Sequence, residues 1–296
     1  MSEQADLSEV MAERRRLLAL AYRLLGTLAE AEDAVQETYL RWYRLPAEDR
    51  AAILNPQGWL TRVASRVCLD VLKSARARRE QYVGPWLPEP LPAGHLTDEQ
   101  EDPADRVTLD ESVSTALLVV LEAMTPAERV AFVLHDVFGL PFAEIAEVVG
   151  RSPAAVRQLA TSARRRVRQR HAIKSDHSDH DAVVRAFTAA ARGGDLAALT
   201  RLLDPGATLR SDGGGVVRAA RNPVVGSTRV ARFLLGVLAK VGYDLTDRPT
   251  GDGLGFTLEH DGRVHGVGNL RVAGGQVTDV WLVLNPAKLA AWIGRC

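Results

Sequence analysis

The chain has 296 residues, in which 37 Lys and Arg balance 37 Asp and Glu, with 46% apolar and 5% aromatic positions. That length exceeds what one hydrophobic core comfortably supports, so two or three domains of ordinary soluble composition are expected. Two cysteines, Cys68 and Cys296, make neither a disulfide framework nor a metal spacing, the start from Met1 to Leu7 lacks the positive and apolar regions of a signal peptide, and no stretch is apolar enough to span a bilayer; a cytoplasmic protein without membrane contact, metal or cofactor is predicted.

Leu7 to Leu25 has helical periodicity through Val10, Met11, Leu17, Leu18, Ala21, Leu24 and Leu25, and Gly26 stops it. Thr27 and Glu30 have the spacing of a capping box for the next helix, which leaves Asp33, Gln36 and Glu37 on the side opposite Ala31, Ala34, Val35 and Trp42. Asn55 followed by Pro56 opens a third helix, with Trp59, Leu60, Val63, Ala64, Val67, Val71 and Leu72 on its apolar face and Arg62, Arg66 and Lys73 on the other. Lys73, Arg76, Arg78 and Arg79 close it with positive charge. This first block is all-helical, with one acidic and one basic surface.

Tyr82 to Pro103 carries Gly84, Pro85, Pro88, Pro90, Pro92, Gly94 and Pro103, which preclude a long helix. Trp86 and Leu87 are too apolar for a mere spacer, so the expectation is a linker docked on a neighbouring domain. Thr125-Pro126-Ala127-Glu128 then opens a helix through Val130, Val133, Leu134 and Val137 to Gly139. Phe142 to Val149 and a helix capped by Ser152, with Pro153 at its first position, flank a tight turn at Gly150. Ile145, Ala146, Val149, Val156, Ala160, Ala163 and Val167 should face the core. From Arg157 to Lys174 the chain has seven basic residues and no acidic one, and a basic second helix after a tight turn has helix-turn-helix form.

Beyond Ala172 two short amphipathic helices surround Gly193-Gly194-Asp195, and Asn222 to Leu238 holds another. Phe256 to Glu259, Arg263 to Leu270 and Val277 to Leu284 alternate as strands of an antiparallel meander, so the last part is an α+β domain. Asp176-His177-Ser178-Asp179-His180-Asp181 reads as a polar connector capping the next helix rather than a metal site.

The order of an acidic-faced helical domain with a basic helix, a linker and a basic helix-turn-helix resembles bacterial sigma factors of the extracytoplasmic-function (ECF) type, which keep only the second and fourth sigma domains. Asp33-Ala34-Val35-Gln36-Glu37-Thr38-Tyr39-Leu40 resembles their polymerase-binding helix, Trp59-Leu60 to Asp70-Val71-Leu72 their promoter-melting helix, and Phe142-Ala143-Glu144-Ile145-Ala146 through Val156-Arg157 their −35-reading helix-turn-helix. Trp86-Leu87-Pro88-Glu89-Pro90, Asp212-Gly213-Gly214-Gly215 and Asn285-Pro286-Ala287-Lys288-Leu289 resemble motifs of one subgroup that carries a C-terminal SnoaL-like extension regulating the sigma factor from within. Val216 stands where that subgroup usually has Lys, with Arg218 as a substitute cation. Arg66 stands where ECF sequences commonly have Asn.

The resemblance implies a multidomain fold: sigma domain 2 over residues 1–80, a Pro-rich linker over 81–105, sigma domain 4 over 106–172, a connector over 173–180 and a cone-shaped α+β (NTF2-like) SnoaL-like domain over 181–296. It implies two partners, core RNA polymerase and promoter DNA, and the cone-shaped fold admits a small-molecule ligand. Asp33, Gln36 and Glu37 would meet polymerase through complementary charge. Arg62, Arg66, Lys73 and Arg76 would track the −10 element, with an extruded base held by the Leu45 to Asn55 loop. Arg157 and Gln158 would read base edges near −35, with Thr161, Arg164 and Arg165 beside them. Trp86, Leu87, Pro88, Glu89, Pro90, Asp212, Gly213, Gly214, Asn285, Pro286, Lys288 and Leu289 would make the regulatory interdomain contact. SnoaL-like relatives include cyclases with an acid/base Asp or His, for which Asp279, His265 and Asp212 are candidates, yet no constellation emerges and a non-catalytic protein is expected. Two other classes remain: a ligand-responsive repressor and a SnoaL-like enzyme fused to a DNA-binding module.

Overall fold

The computed structural model describes residues 13–79, 82–96, 114–170 and 177–293. Val10 and Met11 lie outside these. The chain forms two compact units. The first comprises Met1–Arg78, Leu96–Ser112 and Leu117–Arg170, and the second Arg79–His95, Val113–Ala116 and His171–Cys296. Among the described residues no helix is long and apolar enough to cross a membrane.

In the first unit, α1 (Arg14–Leu25) and α2 (Leu28–Arg44) pack through Leu17, Leu20, Ala21, Leu24, Ala31, Ala34 and Val35, all almost fully buried. The expected capping box before α2 does not form: the Thr27 hydroxyl donates to the Glu30 carboxylate at 2.9 Å, so it does not accept from the backbone. A short α3 (Ala47–Ala51) leads to α4 (Pro56–Arg79), where Asn55 does cap, its Oδ1 accepting from Gly58 N at 2.9 Å. Trp42 meets Trp59 edge-on at 5.2 Å and ties the start of α4 to α2. Cys68 is enclosed, and burial pushes its thiol up to about 12, which makes it an inert core residue.

α5 (Thr115–Glu122) is followed by α6 (Pro126–Phe132), which carries a full capping box between Thr125 and Glu128 and continues as a π-helical turn over Val133–Val137. α7 (Phe142–Val149) and α8 (Pro153–Arg170) form the helix-turn-helix, with Ile145, Val156, Ala160 and Ala163 buried. Val148, and not Val149, is the fully buried valine of α7. Arg129 of α6 is buried and its Nη1 donates to Leu24 O at 2.8 Å and to Glu122 at 2.6 Å, so the two helical blocks share an internal charge, although its Nε is buried without a hydrogen-bond partner among the described residues.

The second unit is a six-stranded sheet backed by helices. α9 (His177–Arg192) starts inside the expected connector, because His180 and Asp181 anchor it: His180 Nε2 lies 3.1 Å from Leu270 O, and Asp181 Oδ1 accepts from Leu254 N at 3.0 Å. α10 (Leu196–Leu202) is capped by Asp195, and α11 (Ser227–Val241) completes the helical layer. The strands are β1 (Leu203–Asp212), β2 (Val224–Val225), β3 (Asp244–Thr250), β4 (Gly253–His260), β5 (Arg263–Ala273) and β6 (Gln276–Val283), in the order β2-β1-β6-β5-β4-β3.

β3 to β6 are the antiparallel meander, but β1, β2 and β3 had no counterpart in the sequence reading, and β1 pairs parallel to β6. Asp204-Pro205-Gly206 looks like a turn; it is instead a register shift within β1. Pro249 is tolerated because β3 is an edge strand. One face of the sheet packs Leu209, Val280, Leu282, Leu270, Phe256 and Leu258 against Val184, Phe187, Val230 and Leu234 of the helices. The space expected for a cone-shaped cavity on this face is thus lined by apolar side chains in mutual contact.

Candidate functional site

The buried centre of the second unit is the carboxylate of Asp212, at the end of β1 and fully enclosed. Its Oδ1 accepts from Tyr82 Oη at 2.5 Å and from Gly214 N at 3.0 Å. Its Oδ2 accepts from Leu87 N at 3.0 Å and from Lys288 Nζ at 2.8 Å. Lys288 is 5% exposed, donates also to Leu87 O at 2.5 Å, and lies 3.9 Å from the centre of the Trp86 ring. Asn285 donates from Nδ2 to Tyr82 Oη at 2.9 Å and caps the 3₁₀ turn Pro286–Lys288 by accepting from Ala287 N. A charge pair this deep persists only because every remaining lone pair and proton is matched.

Burial, the bond to Asp212 and the charge of that carboxylate push the Tyr82 phenol well above its ordinary value, against the opposing donation from Asn285, so the hydroxyl remains a proton donor. Gly214 sits at φ +64°, and a Cβ there would approach Asn285 to 2.5 Å, so the turn after Asp212 needs glycine twice over. Leu87, Pro88, Glu89, Pro90 and Leu289 are buried around the pair. Trp292 Nε1 donates to Pro90 O at 2.7 Å, and the linker continues as a bridge from Pro92 to Thr250 on the edge of β3.

The three sequence-distant motifs therefore converge on one ion pair. Tyr82 and Trp292 join it without having been singled out; the signal for Tyr82 was an aromatic residue four before Trp86 in a segment that cannot be helical. Val216 is 79% exposed and stays out of the cluster, whose cation is Lys288. The candidate acid/base residues occupy separate settings. Asp212 is held as described, and Asp279 is paired with Arg271 at 2.8 Å and Arg210 at 3.5 Å. His265 lies near Tyr243 and His260.

Close to the linker's far end, Thr115 N donates to Asp252 Oδ1 at 2.6 Å and Asn269 Nδ2 donates to Thr115 Oγ1 at 2.6 Å. Burial pushes the Asp252 carboxyl up from 3.8 to about 6, against the Thr115 donors and the nearby His180.

In the first unit, Asp33 and Gln36 are exposed on α2, and Glu37 forms an i,i+4 pair with Arg41 at 2.8 Å. Leu40 and Tyr43, exposed on the same helix, extend that face with apolar surface that the acidic pattern concealed. On α4, Arg62 pairs with Glu147 of α7 at 3.6 Å and Arg66 donates to Glu147 O at 2.9 Å, while Lys73 pairs with Asp70 at 3.1 Å. The side chain of Arg76 lies outside the described residues. Leu54, 99% exposed, marks the loop before α4.

On α8, Ala154, Arg157, Gln158, Thr161, Ser162 and Arg165 line an open cleft of about 550 Å³. The Arg157 guanidinium lies 5.2 Å over the Phe142 ring, and Thr161 Oγ1 donates back to Arg157 O at 2.9 Å. Arg164 is set apart from this cleft by Asp136, which accepts from its Nε at 2.5 Å.

Sigma-70 region 2 matches residues 10–78 and Sigma-70, region 4 matches residues 114–167. The chain is 46% identical over 242 residues to the ECF RNA polymerase sigma factor SigJ of Mycobacterium tuberculosis, covering 81% of this chain and 75% of that one. It is 39% identical over 283 residues to the probable ECF RNA polymerase sigma factor SigI of the same species, covering 94% and 92%. The crystal structure of the M. tuberculosis extracytoplasmic function sigma factor SigJ aligns with a TM-score of 0.76 and 39% identity over 96% of this chain and 98% of that one.

Proposed function

The chain belongs to the extracytoplasmic-function RNA polymerase sigma factors, of the kind with a C-terminal SnoaL-like extension, and from that premise we propose how its surfaces divide the work of promoter-specific initiation. The carrying observation is the α8 cleft, where Arg157, Gln158, Thr161 and Arg165 line up along one side of a recognition helix that can enter a major groove. Arg157 and Gln158 read base edges of the −35 element, and Arg165 contacts phosphate. Asp33, Gln36 and Glu37, with the exposed Leu40 and Tyr43, form the core-polymerase face. Arg62, Arg66, Lys73 and Arg76 track the backbone near −10, and the loop bearing Leu54 receives the extruded base.

Two features support internal control. Arg62 and Arg66 are engaged by Glu147, so contact with the −10 strand requires α4 and α7 to part. The Asp212–Lys288 pair holds the linker that joins the two sigma regions, so its release changes how freely they separate. The chain acts as an adaptor without turnover of its own.

Run-off transcription with purified core polymerase and a promoter library tests the reading. Specific transcripts that require the full-length chain and are lost in Arg157→Ala on the selected promoter are expected. Promoter DNA bound equally well without polymerase, and no specific start with it, would favour a repressor.

A further inference from the structure

The second unit has a cleft that the linker pair does not use. It measures about 560 Å³ and lies between linker residues Val83 and Gly84 and the loop from Gly213 to Arg221. Val83, Val217, Ala219 and Ala220 give it an apolar patch within a lining that is otherwise largely polar, and its charged lining residues are Arg218 and Arg221. Both arginines are exposed and have no ion-pair partner among the described residues. Asp212, the carboxylate nearest in sequence, is neutralised by Lys288 and has its oxygens committed to the linker.

We propose that this cleft binds a small organic anion, a carboxylate or phosphate monoester on a compact apolar body, with Arg218 and Arg221 as the anion receptors. The size suits a compact metabolite, because ligand clefts run from about 300 to 1,000 Å³, and the apolar patch beside the two arginines suits an anion with an apolar body. Several of the loop's own amides are already engaged within the loop. Gly214 N is spent on Asp212, and Val216 N and Val217 N on Gly213 O at 3.1 and 2.9 Å. Guanidinium forks suit bidentate carboxylate and phosphate, which is the recognition this arrangement offers.

Occupancy also bears on control. Val83 and Gly84 directly follow Tyr82, whose hydroxyl bridges Asp212 and Asn285. A ligand wedged between Val83 and the loop binds the docked linker and not the released one, and so favours docking by mass action. This coupling rests on the internal control proposed above, whereas the binding itself does not.

The test uses the full chain without polymerase or DNA. Phenylacetate and phenyl phosphate are titrated by calorimetry, with phenylacetamide as the uncharged control, and the exchange protection of the Leu87 amide is followed in parallel. Saturable one-to-one binding of at least one anion, weakened at least about tenfold in Arg218→Gln/Arg221→Gln, as loss of charge-assisted bonds predicts, supports the site. The stronger of the two identifies the head group. Equal affinity in the double variant, equal affinity for phenylacetamide, or no saturable binding of either anion at millimolar concentration overturns it. Both arginines are exposed, so the variant folds. Binding that leaves Leu87 protection unchanged overturns the coupling alone, and failure of the transcription assay leaves the calorimetric result standing.

Discussion

Lys288 carries the largest local consequence of any single side chain, because its ammonium is the only counter-charge within bonding distance of the enclosed Asp212 carboxylate among the described residues. Lys288→Ala strands that charge and should cost about 3–5 kcal/mol, as removal of one member of a buried pair does. Lys288→Ala/Asp212→Ala should recover part of the loss in denaturant melts; a double variant whose total loss equals the sum of the two single losses would mean that the two groups do not interact. Asp252 gives a second residue-scale expectation. Its folded value of about 6 lies above 3.8, so the folded chain holds this proton more tightly than the unfolded one. The group's contribution to stability is therefore complete below about pH 4 and fades as pH rises through about 6. Asp252→Asn keeps an acceptor for Thr115 N, and should flatten the melting temperature between those limits and raise it at pH 7. Glu128 has the opposite sign. Burial would raise its carboxyl, but Thr125 N, the Ser162 and Thr125 hydroxyls and Arg166 together hold it below the ordinary 4.5, so its contribution is kept at neutral pH and lost only in acid.

The α6 capping box and the Ser152 cap of α8 were legible because each is a pattern of four neighbouring residues. Thr27 failed the same pattern since its hydroxyl found a side-chain acceptor instead of the backbone. The basic residues of α8 looked alike in sequence, yet packing sorts them: Arg157 and Arg165 line the cleft, and Arg164 is turned to Asp136. Arg157→Ala should weaken binding to a −35-containing duplex by about 1–3 kcal/mol and relax sequence choice at one base pair, whereas Arg165→Ala should weaken all sequences alike. Gel-shift competition against scrambled DNA separates these outcomes. In the sheet, a Cβ at Gly268 of β5 would run into the ring of Phe256 on β4. Gly268→Ala should destabilise by about 1–3 kcal/mol through overpacking, measured by thermal or urea unfolding.

Each compact unit gathers segments that are far apart along the chain. The linker belongs to the second unit through Asp212, Lys288 and the Pro92 bridge, and the helix-turn-helix belongs to the first through Arg129, Arg62 and Arg66. The Glu147 contacts are partly exposed, and exposed pairs contribute little, at most about 1 kcal/mol. Glu147→Ala should therefore raise promoter occupancy by polymerase holoenzyme no more than about fivefold, read as open-complex yield. A gain far above that would assign the control to this contact and not to the linker pair.

From sequence alone came the helices with their apolar faces, the order of helical and mixed segments, the family resemblance and the three motifs around Trp86, Asp212 and Lys288, because periodicity and short-range capping record which side of an element is buried. Tertiary structure decided what those motifs do to one another: that Lys288 answers Asp212 from 76 residues away, that β1 runs parallel to β6, and that Tyr82 closes the cluster. Pairing across such separations depends on which backbone lies alongside, a property of the folded chain that no local pattern encodes.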